Sequence, residues 1–335
     1  MNIEFPFVTS LILFVVSVFF IWFFCTKLSG IVNFIDAEFN LGSAFGGTII
    51  LSVVTNLPEI AITINGSIRG NIDLAVGNIL GGILVQSTLL VLFDFAGRKQ
   101  PKPLSTLTSS KSSILQGLFL IIVLTFVIMG KQLKPTLIFA RTTPPEIIIV
   151  LVWIVSVFAM KKFQSTDKDE AQTKKKVQSK LTKKSAVIWL IVISILVLVF
   201  GVLLETTSDT IATHFKINGV IFGATVLAFV TSLPEISGGL AFVKKKTYKP
   251  IISDIFGGNA FLPVLFLPAT IITNKAILPS SNNTDMYLTA AAIIITGIYV
   301  IGMVISAPKK KFGLGYDSWL ALLVYVISIA GMFFL

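Results

Sequence analysis

Two five-residue segments carry most of the chemistry this sequence can offer: Thr55-Asn56-Leu57-Pro58-Glu59 and Thr231-Ser232-Leu233-Pro234-Glu235. Each sets a carboxylate and a helix-breaking proline inside a long apolar stretch. A charged side chain at bilayer depth costs about 2.5–3.5 kcal/mol on insertion scales, and it is kept where it faces a protein interior, a cavity or a bound ion. Glu59 and Glu235 are therefore expected to be functional. Pro58 has no amide hydrogen, so the carbonyl of Val54 four residues back loses its helical partner, and Pro234 does the same to Val230. Within a bilayer such a carbonyl needs another partner, and a cation is a suitable one. The same breaks expose the hydroxyls of Thr55, Thr231 and Ser232 and the amide oxygen of Asn56. An all-oxygen set without sulfur or imidazole suits hard cations: Ca2+ takes about six to eight oxygens, and the same atoms serve Na+. Two glutamates would neutralise one divalent ion.

Two further polar residues lie in apolar surroundings. Asn78 falls between Gly77 and Gly81, and Asp254 between Ser253 and Gly257. Small residues at this spacing let helix backbones approach closely, so both side chains are expected in a crowded interior, as ion-site residues or as hydrogen-bonding partners of neighbouring helices. The single cysteine, Cys25, lies in an apolar run and reads as a small buried hydrophobe; neither an intrachain disulfide nor a thiolate cluster is available. The single histidine, His214, is placed in a polar connection, which excludes a zinc centre of several His or Cys ligands. No cofactor is expected.

The elements that must position these residues are membrane helices. Of 335 residues 54% are hydrophobic and the mean hydropathy is +0.91, far too apolar for a soluble globule. Apolar runs cover about 7–26, 41–67, 72–95, 113–129, 146–160, 186–204, 220–243, 251–273, 286–305 and 318–335. Each is near the length needed to cross about 30 Å of hydrocarbon, so the expected fold is an all-α integral membrane protein of ten transmembrane helices. The net charge of +11 sits in lysine clusters between these runs, where it sets orientation and gives no reason to expect nucleic acid as a partner. Residues 161–184, rich in Lys, Gln, Ser and Thr, read as a solvated linker between a first half, 1–160, and a second, 185–335. Placing that linker in the cytoplasm leaves only Arg69, Lys131, Lys134, Arg141, Lys216 and Lys275, of 27 basic residues, on the other side. Both termini are then expected outside. The first run, preceded by Glu4 and no basic residue, reads as a permanent span.

Shifting the sequence against itself by 176 residues aligns the halves without a gap through the key region. Gly47 meets Gly223, Leu51 meets Leu227, Thr55 meets Thr231, Leu57-Pro58-Glu59-Ile60 meets Leu233-Pro234-Glu235-Ile236, and Gly81-Gly82 meets Gly257-Gly258. Five helices separate the copies, an odd number, so equivalent helices cross in opposite directions. Two inverted five-helix repeats are typical of secondary transporters, with the substrate near the midplane where the repeats meet.

The segments TNLPE and TSLPE, each followed by a glycine-rich helix (GNILGG and SDIFGG), resemble the alpha-repeats of the cation/calcium exchanger superfamily, in particular its sodium/calcium exchanger branch. The likeness covers about 42–86 and 218–262 by motif, and the whole chain by its five-plus-five layout. It implies an antiporter moving Ca2+ one way against Na+ or H+ the other. It also implies that Glu59 and Glu235 are the central ion-binding glutamates, that Thr55, Asn56, Thr231 and Ser232 are flanking oxygen ligands, and that the first and sixth helices are a long, sliding pair. This chain departs from the sodium-coupled pattern at Gly82 and Gly258, where serine is usual, and at Gln86 and Leu262, where Asn or Asp is usual. Asp254 lies eight residues before Leu262, about 12 Å along a helix, too far to stand in directly. These departures touch the sodium sites more than the central divalent site.

The expected function is therefore secondary active exchange of Ca2+ for Na+ by alternating access. H+ is the alternative counter-ion, since two carboxylates without a metal repel each other. A cation channel fits two inverted broken helices less well. An intramembrane enzyme would need an acid/base or nucleophilic partner that the apolar runs do not supply. The expected partners are the lipid bilayer and inorganic cations, with the chain acting as a monomer in the cell membrane of a prokaryote.

Overall fold

The structure is a computed structural model that describes residues 5–39, 50–138, 141–164, 182–306, 309–332 and 334. Among these residues there is no strand, only an isolated antiparallel bridge between Lys311 and Leu314. The chain runs through α1 (Phe7–Phe39), α2 (Leu51–Thr55), α3 (Leu57–Arg69), α4 (Ile72–Ala96), α5 (Leu104–Thr108), α6 (Lys111–Lys131) and α7 (Pro144–Gln164). After residues 165–181, which lie outside the described ones, come α8 (Lys183–His214), α9 (Gly219–Phe222), a π-helical turn (Gly223–Leu227), α10 (Ala228–Thr231) and α11 (Leu233–Lys245). Then follow α12 (Lys249–Phe261), α13 (Phe266–Thr273), α14 (Ile277–Ser280), α15 (Asn283–Ile305) and α16 (Tyr316–Met332).

Among the described residues six helical stretches are long and apolar enough to cross a membrane: Phe7–Val32, Ile72–Ala96, Lys111–Lys131, Lys183–His214, Lys249–Thr273 and Asn283–Ile305. A seventh is added if Gly219–Thr231 and Leu233–Lys245, bent by 42° at their junction, count as one span. Pro144–Met160 and Tyr316–Met332 are shorter apolar helices. The expectation of ten spans adds these two and the pair α2–α3, whose upstream residues 40–49 lie outside the described ones, as do Gly47 and the start of the first repeat.

Helices α1 and α8 exceed their apolar runs, with 33 and 32 residues. At 1.5 Å per residue each is roughly 50 Å long, well beyond the hydrocarbon thickness. They pack along each other, and α8 also packs along α3. His214 proves to be the last residue of α8 rather than part of a connection, because its ring stacks on Phe7 with centroids 3.8 Å apart and holds the final turn.

The buried side chains form two clusters. One joins α4, α6, α12 and α15 around Leu80, Phe93, Leu124, Phe256 and Tyr299; the other fills the seam of α1 and α8 against α2 and α3, around Leu28, Val54, Ile62 and Leu204. The glycine spacing in α4 has the expected use. A Cβ built on Gly77 would lie 2.6 Å from the Val220 carbonyl oxygen, and one on Gly81 would strike Ala224, so the α4 backbone lies directly against α9 and the π-helical turn.

Candidate functional site

The two Pro-Glu segments form breaks of the same construction. α2 stops at Thr55, Asn56 takes up φ −90° and ψ 15°, and α3 restarts at Leu57 with Pro58 in its first turn, where a missing amide hydrogen costs least. In the second half α10 stops at Thr231, Ser232 has φ −83° and ψ −2°, and α11 restarts at Leu233 with Pro234 in its first turn. Hydrogen bonding matches as well. Asn56 donates its side-chain amide to the Ser52 carbonyl at 2.6 Å, and the Ser232 hydroxyl donates to the Ala228 carbonyl at 2.7 Å. Thr55 and Thr231 donate to the same two carbonyls, at 3.4 and 3.3 Å.

Glu59 and Glu235 fall in the first turn of α3 and α11, 0% and 3% exposed. Oε2 of each is buried with no hydrogen-bond partner, and so is Oδ1 of Asn56. An acceptor buried without a donor costs about 1–3 kcal/mol, more when charged. These atoms therefore call for a ligand that supplies positive charge. Glu235 lies within electrostatic reach of Glu59, which brings the two halves together at this point. Among the described residues no three His, Cys, Asp or Glu side chains converge into a metal-holding group, so any cation here must be completed by neutral oxygens.

Of the other expected residues, Asn78 and Thr231 meet: the threonine hydroxyl reaches Asn78 Oδ1 at 3.5 Å and also faces Glu59. Val54 is buried and Val230 half-buried, each four residues before its proline. Asp254 approaches the same helix from α12: it is within electrostatic reach of Glu235, its Oδ2 lies 3.9 Å from where a Cβ on Gly238, three residues further along α11, would be, and its Oδ1 is buried without a partner.

Gln86, singled out in the sequence as a departure from the sodium-coupled pattern, is buried in α4 and donates its Nε2 to Glu59 Oε1 at 3.4 Å. Other residues escaped sequence reasoning. Asn259 of α12 is buried too and donates to Ser87 Oγ at 3.1 Å and to the Ile83 carbonyl at 3.4 Å, tying α12 to α4 beside the site. Glu205 lies one residue past the apolar run read from the sequence as ending at 204, yet α8 continues through it. Fully buried in α8, it accepts from Asn71 at 2.9 Å and from Asn65, with the Arg69 guanidinium 3.6 Å away and Arg69 also paired with Asp209 at 3.5 Å. Its signal was the Asn65–Arg69–Asn71 group at the end of the opposing run. Asp94 is likewise buried, but it is fully engaged: Lys310 pairs with it at 2.8 Å, and Leu104, Gly315 and Ser318 all donate to it.

An all-helical protein with paired breaks, each placing a buried carboxylate in the interior between its halves, belongs to the class of membrane proteins built around polar interior sites. More particularly, the chain belongs to the sodium/calcium exchanger protein family, whose model matches residues 9–162 and 185–334. It is similar to the inner membrane protein YrbG of Escherichia coli (strain K12), at 23% identity over 295 residues that cover 84% of this chain and 87% of that protein. Its fold is shared with the sodium-calcium exchanger NCX_Mj, with a TM-score of 0.61 at 18% identity, covering 97% of this chain and 99% of that one. It is shared also with the H+/Ca2+ exchanger CAX, with a TM-score of 0.68 at 12% identity, covering 99% and 89%.

Proposed function

We propose that this chain is a secondary active antiporter exchanging Ca2+ for Na+ by alternating access at one site between its two halves. The observation that carries the reading is the pair of matching helix breaks, each holding a buried glutamate oxygen that no donor satisfies. In this reading Glu59 and Glu235 neutralise the divalent ion. Thr55, Asn56, Thr231 and Ser232, with the carbonyls of Val54 and Val230, complete its oxygen shell, and Asn78 and Asp254 stand behind them. The ten spans form two inverted five-helix repeats, residues 1–160 and 185–335, joined by a cytoplasmic linker at 161–184. Both termini lie outside, in the cell membrane of a prokaryote, and the chain works as a monomer.

A second reading, with H+ as the counter-ion, is favoured by one observation. Gln86 turns an N–H donor toward Glu59, and Gly82, Gly258 and Leu262 offer no side-chain oxygen, so the flanks of the central site are poor in ligands for additional Na+. Uptake of radiolabelled Ca2+ into proteoliposomes under separate Na+ and pH gradients tests both readings. A Na+ gradient alone drives uptake in the first and a pH gradient alone in the second, and Glu59→Gln or Glu235→Gln abolishes it in either. Uptake driven by neither gradient, or surviving both substitutions, would overturn the exchanger reading.

A further inference from the structure

Between α15 and α16 the chain makes a two-residue hairpin. Lys311 N–H donates to the Leu314 carbonyl at 2.8 Å and Leu314 N–H returns the bond at 3.2 Å, so Phe312 and Gly313 form the turn, with φ of 52° and 84°. Positive φ at both central residues is the mark of a type I′ turn, which favours Asn-Gly because a bulky side chain in the left-handed region crowds its own backbone. Phe312 takes the place that asparagine would fill more easily, and it is 82% exposed. Neither the turn nor packing within the chain accounts for an aromatic residue there.

The hairpin is pinned to the end of α4. The Lys310 side chain, only 7% exposed, pairs with Asp94 at 2.8 Å and donates to the carbonyls of Asp94 and Gly97 at 3.0 and 3.1 Å. Leu314 is buried, Gly315 N–H donates to Asp94 at 2.7 Å, and Trp319 Nε1 donates to the Lys311 carbonyl at 3.0 Å. Phe312 is thus presented from a fixed base. Around it Arg98, Lys309 and Lys311 are exposed, with the Lys311 ammonium 5.9 Å from the Phe312 ring, and none of the three pairs with a carboxylate among the described residues. Tyr316 and Trp319 are exposed just beyond the turn, and the surface runs on into the apolar flanks of α15 and α16 at Ile305 and Leu320, where the hydrocarbon of a bilayer would lie.

We propose that this hairpin is a membrane-surface anchor for anionic phospholipid head groups: Phe312, Tyr316 and Trp319 enter the interfacial layer, and Arg98, Lys309 and Lys311 hold the phosphates. Amphipathic aromatic rings are favoured at head-group depth, and lysine and arginine close to an anionic leaflet are drawn to it. Burial of the Phe312 ring among head groups offsets the strain of its backbone. Lys310 fastens the hairpin to Asp94 in the last turn of α4, so the anchor fixes the end of the helix that carries Asn78 and Gln86.

The test uses the full-length protein with a fluorophore on Phe312→Cys, in liposomes of phosphatidylcholine and phosphatidylglycerol; the native Cys25 is buried and stays unlabelled. Phosphatidylglycerol carrying a nitroxide near its head group is expected to quench the dye at least about twofold more than nitroxide-labelled phosphatidylcholine at the same fraction, a preference lost when Arg98, Lys309 and Lys311 are all changed to Gln. Aqueous iodide is expected to quench it far less than the same dye on Lys275→Cys, an exposed position away from the hairpin. Equal quenching by the two lipids overturns the head-group site, and iodide quenching equal to that at Lys275→Cys overturns the insertion. Thermal unfolding in detergent checks the native hairpin: added phosphatidylglycerol should raise the unfolding temperature of the wild type by several degrees more than phosphatidylcholine does, and should lose that advantage in the triple Gln variant. Equal effects of the two lipids on the wild type, or an advantage fully kept in the variant, overturn the proposal even if the labelled protein fails to fold. Both readouts are taken without ion gradients, so their failure leaves the exchanger reading standing, and a failure of gradient-driven uptake leaves the anchor standing.

Discussion

Gln86 makes the two central glutamates unequal. Its amide donates to Glu59 Oε1, whereas the matching position on the second half is Leu262, which has nothing to donate. At 3.4 Å the bond is long, so it is worth less than the roughly 1.5–3 kcal/mol of a good hydrogen bond to a charged group. Its effect is to hold Oε1 in place while Oε2 remains open toward the interior. Gln86→Leu removes the donor at nearly constant volume and makes the halves alike. The expected outcome is a half-saturating Ca2+ concentration raised by up to about tenfold with the maximal rate largely kept, measured by uptake across a Ca2+ series. An unchanged half-saturation would show that the contact does no positioning. Glu59 and Glu235 were legible in the sequence because a carboxylate amid apolar residues has few bland explanations. Gln86 was not, since a neutral amide in an apolar helix is as often a packing residue. The family resemblance marked its position as one where Asn or Asp is usual, but nothing in the sequence showed its contact with Glu59.

The helix breaks are the elements most plainly written in the sequence, because proline removes one specific donor and the bend follows from that loss. Replacing Pro58 with alanine returns an amide hydrogen to face the Val54 carbonyl, so α2 and α3 can join into one continuous helix. The expected result is a protein at least as resistant to heat as the wild type but with Ca2+ uptake reduced about tenfold or more, because carbonyl and carboxylate are no longer presented together. A variant that transports normally would show that the break is dispensable. The lengths of α1 and α8 were less legible, since their last turns are polar and read as connections. In α8 those turns carry a second device. Glu205 is buried, held by Asn65 and Asn71 and paired with Arg69, which anchors α8 to the end of α3 and the turn into α4. Removing one partner of a buried pair leaves a charge uncompensated and costs about 3–5 kcal/mol. Arg69→Ala should therefore lower the unfolding temperature in detergent markedly, while Glu205→Gln, which keeps an amide able to accept from Asn71, should lower it much less. Equal losses in the two variants would place the stability in packing rather than charge.

At the scale of the whole molecule, the two halves are held together by the same contacts that build the site. The long seam is α1 against α8. The backbone of α4 lies against α9 and the π-helical turn, through Gly77 and Gly81, Thr231 of the second half meets Asn78 of the first, and Trp22 donates to Ser237 at 2.5 Å. The largest apolar cluster mixes α4 and α6 with α12 and α15 in the same way. A half alone would expose these faces and leave Asn78, Glu59 and Glu235 without their neighbours, so neither is expected to be stable by itself. All of the contacts just named are made by residues within 5–164 and 182–334. Residues 1–164 and 182–335 expressed as separate chains in one cell should therefore find each other, copurify through a tag on either one, and restore Glu59-dependent Ca2+ uptake, while each expressed alone aggregates or is degraded. The sequence repeat predicts two equivalent halves, which would equally suit two independent units side by side. What distinguishes the interlocked arrangement is that the approach of Gly81 to Ala224 and the contacts of Thr231 with Asn78, Asn259 with Ser87 and Trp22 with Ser237 cross from one half to the other, and two halves that each purify as monodisperse, thermally cooperative species would contradict it.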